Sequence, residues 1–141
     1  MKEIIMSVPH TGTRFVRKHF NNIPYYHTWL KWEDVMLRAE QADKIYLPLR
    51  HPEQVHRSWL VRERFYEPSG TFRWYTAWQQ LQMVYHLFDC DVICVDKQED
   101  GRIKNWAPVG HEDRPLPAKD DYPARWDVLF QLPVVKHHYT L

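Results

Sequence analysis

The most constraining feature of this chain is an apolar run of strand length, Ile4-Ile5-Met6-Ser7-Val8. It passes directly into Pro9-His10-Thr11-Gly12-Thr13-Arg14-Phe15 and then into helical spacing. A strand, a tight loop and a helix start leave backbone N–H groups without intrahelical partners at the positive end of a helix dipole. An anion of phosphate or sulfate size fits such a place. One glycine and no lysine after it set the loop apart from the nucleotide loop G-x-x-x-x-G-K-[ST]. An ordinary strand-to-helix turn capped by Thr11 is the plainer account of the same residues.

The rest of the chain decides what kind of sheet the first strand joins. Thr13 to Phe20 has helical spacing, and Asn21-Asn22 suits its end. Ile23 to His27 reads as a short strand, Trp29 to Ala42 as a helix and Ile45 to Leu49 as a third strand. Pro52 suits a first helical turn, with helix continuing from Val55 to Phe65 until Glu67-Pro68-Ser69-Gly70 breaks it. Thr71 to Phe88 carries a broad apolar stripe, and Asp91 to Val95 reads as a fourth strand. Alternation of this kind predicts an α/β fold, three layers with a mainly parallel sheet of four to five strands between helices. After Trp106 prolines recur at 108, 115, 117, 123 and 133, leaving room for one short helix around 124–130 between extended segments. The expected organisation is one domain, an α/β core over 1–105 and a proline-rich segment over 106–141 packed on it.

Composition narrows the function classes. A net charge of +1, with both signs interspersed, argues against a broad nucleic-acid footprint or a polybasic membrane anchor. Any anion site must be local. No run approaches membrane-spanning length and the N-terminus lacks a secretory signal pattern, so a cytoplasmic protein is expected. Cys90 and Cys94 fall in or beside an apolar strand and read as reduced core thiols. His51 with His56 and the pair His137-His138 invite a metal reading. No accompanying carboxylate or cysteine set has zinc spacing, so no metal site is expected.

A second signature follows the third strand: Arg50 at its C-terminal end, then His51-Pro52, a helical pattern, and Ser58 eight positions after the arginine. Pro9-His10-Thr11-Gly12-Thr13 together with Arg50 and Ser58 resembles, in order, spacing and strand context, the paired motifs of sulfotransferases that use 3′-phosphoadenosine 5′-phosphosulfate (PAPS). The resemblance covers about the first sixty residues. It implies a P-loop NTPase-like fold and a PAPS site that also takes the product 3′-phosphoadenosine 5′-phosphate (PAP). Pro9, His10, Thr11, Gly12, Thr13 and Arg14 would hold the 5′ phosphosulfate, and Arg50 and Ser58 the 3′ phosphate. His10 stands where that family has lysine or arginine, so the cation stabilising the leaving oxygen would be His10 or Arg14. His27, at the end of the second strand, is the first choice as base for the acceptor, and Glu33 the second. Lys97, Arg102 and Lys104 lie in a late polar turn and match the family's third phosphate contact poorly.

The implied activity is sulfuryl transfer to a small-molecule, glycan or protein acceptor carrying a hydroxyl or amine, without nucleic acid or membrane. The alternatives are a non-catalytic nucleotide-binding protein, favoured by His10, and a P-loop kinase-like phosphotransferase. The latter lacks the lysine and the Mg²⁺-holding Ser/Thr that such chemistry uses.

Overall fold

The computed structural model describes residues 2–9, 11, 13–56, 68–97 and 126–140, apart from the side chains of 14, 15, 68–74, 126 and 127. Among the described residues four strands, β1 (Glu3–Ser7), β2 (Tyr25–His27), β3 (Lys44–Leu49) and β4 (Cys90–Cys94), form one sheet in the order β2-β1-β3-β4. Every pairing is parallel. The helices are α1 (Thr13–His19), α2 (Trp32–Gln41), α3 (52–56), α4 (Pro68–Leu87), α5 (Trp126–Leu129) and α6 (Pro133–Lys136). The protein is therefore α/β, and no helix among the described residues is long and apolar enough to cross a membrane.

Side-chain alternation along the strands sorts the core into two layers. Ile4, Met6 and Val8 of the first segment and Ile45, Leu47 and Leu49 of the third face one side, where Val35 and Ala39 of α2 and Trp78, Leu81 and Val84 of α4 cover them. Leu129, Val134 and Val135 from α5 and α6 join that layer. Ile5, Tyr46, Ile93 and Val95 face the other side, against Val16 of α1. Because both faces are covered, β1 can be apolar at successive positions rather than alternating. Each fully buried Ile or Leu contributes roughly 1.5–3 kcal/mol relative to exposure, so the thick layer under α4 carries most of the stability.

Local signals set the element ends. Asn21 and Asn22 both adopt the left-handed conformation, at φ 57° and 55°, which asparagine tolerates better than most residues. The Asn22 N–H bonds the Arg17 carbonyl at 2.9 Å, and the Arg17 side chain donates to the Ile23 carbonyl at 3.1 Å. Together these turn the chain sharply from α1 into β2.

Topology then opens a crevice. The chain leaves β1 toward one face, through α1, and leaves β3 toward the other, where Val55 of α3 enters the larger core. Adjacent parallel strands whose connections diverge form a switch point, where open α/β sheets bind ligands. Pro48 widens it. The Val95 N–H bonds the Leu49 carbonyl, so Leu49 points its backbone groups toward β4, and by alternation Pro48 points toward β1 a nitrogen with no hydrogen. The β1–β3 ladder accordingly ends at Ile5 and Tyr46, whereas β3–β4 pairing continues to Leu49 and Cys94.

Three expectations need correction. α4 starts at Pro68 rather than at the predicted Thr71, with Pro68-Ser69-Gly70 as its first turn, because proline at a first helical position gives up only an N–H that has no partner there anyway. The same reason makes Pro133 the start of α6 rather than part of an extended segment. β4 begins at Cys90, one residue before the predicted start, and ends at Cys94. Cys90 and Cys94 are free thiols, half-buried beside the larger core. Residues 57–67, over which the helix was expected to continue to Phe65, and the span 98–125 lie outside the described residues.

Candidate functional site

The loop after β1 is held by hydroxyls. Thr11 donates its hydroxyl to the Val8 carbonyl at 3.0 Å. Ser7 and Thr13 share a hydrogen bond at 2.7 Å, and the Thr11 and Thr13 oxygens are 3.4 Å apart. All three residues are buried, as is Pro9. These bonds tie Thr11 back to Val8 at the strand end and turn the Thr13 hydroxyl toward Ser7. His10 and Gly12 lie outside the described residues, and Arg14 sits on α1 with a side chain that is not described.

On the neighbouring strand, Arg50 follows Leu49 directly and is only 6% exposed. Its Nε donates to Gln54 Oε1 at 3.0 Å, which fixes the guanidinium against α3 through a neutral partner. The fold thus brings Thr11, Thr13 and Arg50 to the C-terminal ends of two adjacent strands. Ser58 lies outside the described residues.

His27 ends β2 in register with Ser7, so the two side chains share a sheet face. Its ring is 5.5 Å from that of Tyr25 and meets Trp29 edge-on at 5.6 Å. The segment beyond it is pinned from the opposite layer. Thr28, fully buried, donates to the Ala77 carbonyl at 2.7 Å, and Gln80 donates to the carbonyls of Thr28 and Leu30. Glu33 stands exposed on the first turn of α2, the helix of the opposite layer. Of the late basic residues, Lys97 follows β4, and Arg102 and Lys104 lie outside the described residues.

One strand further on, Asp96 organises the next loop. It accepts the His51 N–H at 2.9 Å on one oxygen and the Tyr139 hydroxyl on the other. Burial and the adjacent Asp96 carboxylate push the Tyr139 pKa up, which keeps the hydroxyl a donor. His51 Nδ1 accepts the Glu53 N–H at 3.2 Å, so the imidazole caps α3. Nε2, 3.3 Å from the Thr140 carbonyl, therefore carries the hydrogen. On the same short helix His56 is fully buried, and desolvation lowers its pKa to about 4. It is neutral at physiological pH.

Sequence reasoning missed Ser7, Gln54 and Asp96. Gln54 was within reach, since it stands four residues after Arg50 at the start of a helix. Ser7 showed as the single polar residue inside the first apolar run. Asp96 gave no local signal, because its partners lie 45 and 43 positions away. Among the described residues no group of three His, Cys, Asp or Glu side chains could hold a metal ion. Comparison with protein-family models, curated proteins and solved structures gives no significant match for this chain, so its function is argued from its own residues.

Proposed function

We propose that the β1–β3 crevice binds PAPS and that the protein transfers the sulfuryl group to an acceptor hydroxyl or amine. The observation that carries this reading is the placement of Arg50. A buried arginine stands at the end of β3, beside the Thr11–Thr13 loop at the end of β1, across the point where the two ladders separate. Adenosine with phosphate groups at both ends of its ribose needs two anion sites about one ribose apart, and adjacent strand ends at a switch point supply such a pair.

In this reading the fold is a small variant of the P-loop NTPase-like class. The hydroxyls of Thr11 and Thr13 shape the loop from inside, and its backbone N–H groups hold the 5′ phosphosulfate. Arg50 takes the 3′ phosphate through charge-assisted bonds, with Gln54 fixing its orientation and Ser58 adding a hydroxyl. His27, on the same sheet face as Ser7, receives the acceptor proton as the acceptor oxygen or nitrogen attacks sulfur. The S–O bond to the nucleotide breaks, and PAP leaves with its developing charge met by His10 or Arg14. Sulfuryl transfer of this kind is governed by positioning and charge, and needs no covalent enzyme intermediate.

Calorimetric titration with PAP and with AMP tests the cofactor class. The reading predicts micromolar PAP binding, weakened at least tenfold when the ligand lacks the 3′ phosphate or when Arg50→Lys replaces the fork by a point charge. Binding of PAP without sulfuryl transfer to any acceptor would indicate a nucleotide-binding protein without chemistry. Preference for ATP with Mg²⁺ would indicate a phosphotransferase.

A further inference from the structure

The ends of β3 and β4 carry a second cleft, on the far side of β3 from the crevice. It encloses about 400 Å³, in the range of small-molecule sites. Its walls are His51, Lys97, Lys136, His137, His138 and Tyr139, with no carboxylate in the lining among the described residues. In a chain whose net charge is only +1, two lysines and three histidines around one cleft are a local concentration of positive and ionisable nitrogen.

The walls are cross-linked rather than loosely apposed. Lys97 donates to the His138 carbonyl and lies 4.6 Å from the centre of the Tyr139 ring. Tyr139 is tied to Asp96 and Thr140 to His51, and the His51 ring packs between Phe130 and Tyr139 at 5.7 and 5.5 Å. Asp96, next to Lys97 in the chain, has one oxygen on the His51 N–H and the other on the Tyr139 hydroxyl, so it braces the wall. His138 Nδ1 donates to the Val134 carbonyl at 2.9 Å, and His137 Nδ1 meets the Tyr85 hydroxyl at 2.9 Å. In both rings these bonds leave Nε2 for another partner. Lys97 keeps two ammonium hydrogens after its bond to His138, and Lys136 is exposed.

We propose that this cleft binds a tetrahedral oxyanion, the phosphate or sulfate group of an ester, at a site separate from the β1–β3 crevice. Lys97 and Lys136 supply the charge, and His137, with the Tyr85 hydroxyl donating to its Nδ1, supplies a hydrogen bond from Nε2, while the His138 ring, whose hydrogen lies on Nδ1 toward Val134, lines the wall beside it. The sheet edge then holds two anion sites flanking β3, the first reached from Arg50 and the second from His51. This second site stands on its own geometry and does not depend on the sulfuryl-transfer reading.

The test titrates inorganic phosphate into the full chain at constant ionic strength set with chloride, following histidine ring protons by NMR. His137→Gln and His138→Gln variants identify their two signals. The proposal predicts saturable shifts centred on His137 and His138. It also predicts that Lys136→Gln weakens binding roughly five-fold, whereas Lys18→Gln, at the opposite edge of the sheet, and Arg50→Lys leave it unchanged. Absence of saturable shifts, or equal weakening by Lys18→Gln and Lys136→Gln, would overturn the proposal. Weakening by Arg50→Lys with Lys136→Gln unaffected would also overturn it, by placing the phosphate in the crevice, and would leave the crevice reading standing.

Discussion

Acid should loosen the α3 segment through His56. This histidine is fully buried and has its pKa lowered to about 4 by desolvation, against about 6.5 for an unfolded chain. Above pH 7 the residue is neutral in both states and contributes no pH dependence. Below 6.5 the unfolded state takes up a proton that the folded state refuses until about pH 4, so stability falls as pH falls across this window. The gap of roughly 2.5 pH units corresponds to a total loss of about 3 kcal/mol, of which about 2 kcal/mol is reached at pH 5. That is a large share of the 5–15 kcal/mol typical of a small domain. Urea unfolding followed by tryptophan fluorescence at pH 7.5, 6, 5 and 4.5 measures it, with His56→Leu as the reference that cannot titrate. Carboxylates contribute equally to both proteins, so the quantity of interest is the difference in slope. The wild type is expected to lose about 2 kcal/mol more than the variant between pH 7.5 and 5. Parallel declines would refute the claim that His56 is held neutral by burial.

Individual contacts lead to three further expected outcomes. Tyr139→Phe removes the hydroxyl that satisfies one Asp96 oxygen, so chemical unfolding should show a loss of about 1–3 kcal/mol at neutral pH. Asn21→Val forces a β-branched residue to φ 57°, and a melting curve should show destabilisation by about 1–2 kcal/mol, with Asn21→Gly close to wild type. Thr28→Val keeps the shape but deletes the bond to the Ala77 carbonyl in a fully buried setting. It should cost about 1–3 kcal/mol in urea unfolding and alter the NMR signal of neighbouring His27.

The strands were legible because burial on both faces makes them continuous apolar runs. Ile4-Ile5-Met6 and Ile45-Tyr46-Leu47 needed no tertiary information to be recognised. Asn21-Asn22 announced the end of α1 for a reason that is entirely local. The two misplaced starts share one cause: Pro68 and Pro133 were read only for the helix that a proline ends, whereas each also starts one, because its missing N–H costs nothing at a first helical position. Pro48 was read as part of its strand without its consequence, since the loss of one donor matters only once β1 is known to lie beside it. Loop chemistry and spacing placed Thr11, Thr13 and Arg50 after the first and third strands, and these strands are neighbours in the sheet. The inward turn of the Thr13 hydroxyl toward Ser7, and the bracing of His51 by Asp96 and Thr140, depend on pairings between distant positions that no local pattern encodes.

The central claim is that Arg50 and the β1 loop read the two ends of one nucleotide, and a four-cornered binding cycle tests it most directly. Calorimetry would give Kd for PAP and for adenosine 5′-phosphosulfate, which lacks the 3′ phosphate, with wild type and with Arg50→Lys. The account predicts that the substitution weakens PAP at least tenfold, about 1.4 kcal/mol, and adenosine 5′-phosphosulfate less than twofold. Equal weakening of both ligands, or no binding of either at millimolar concentration, would contradict it.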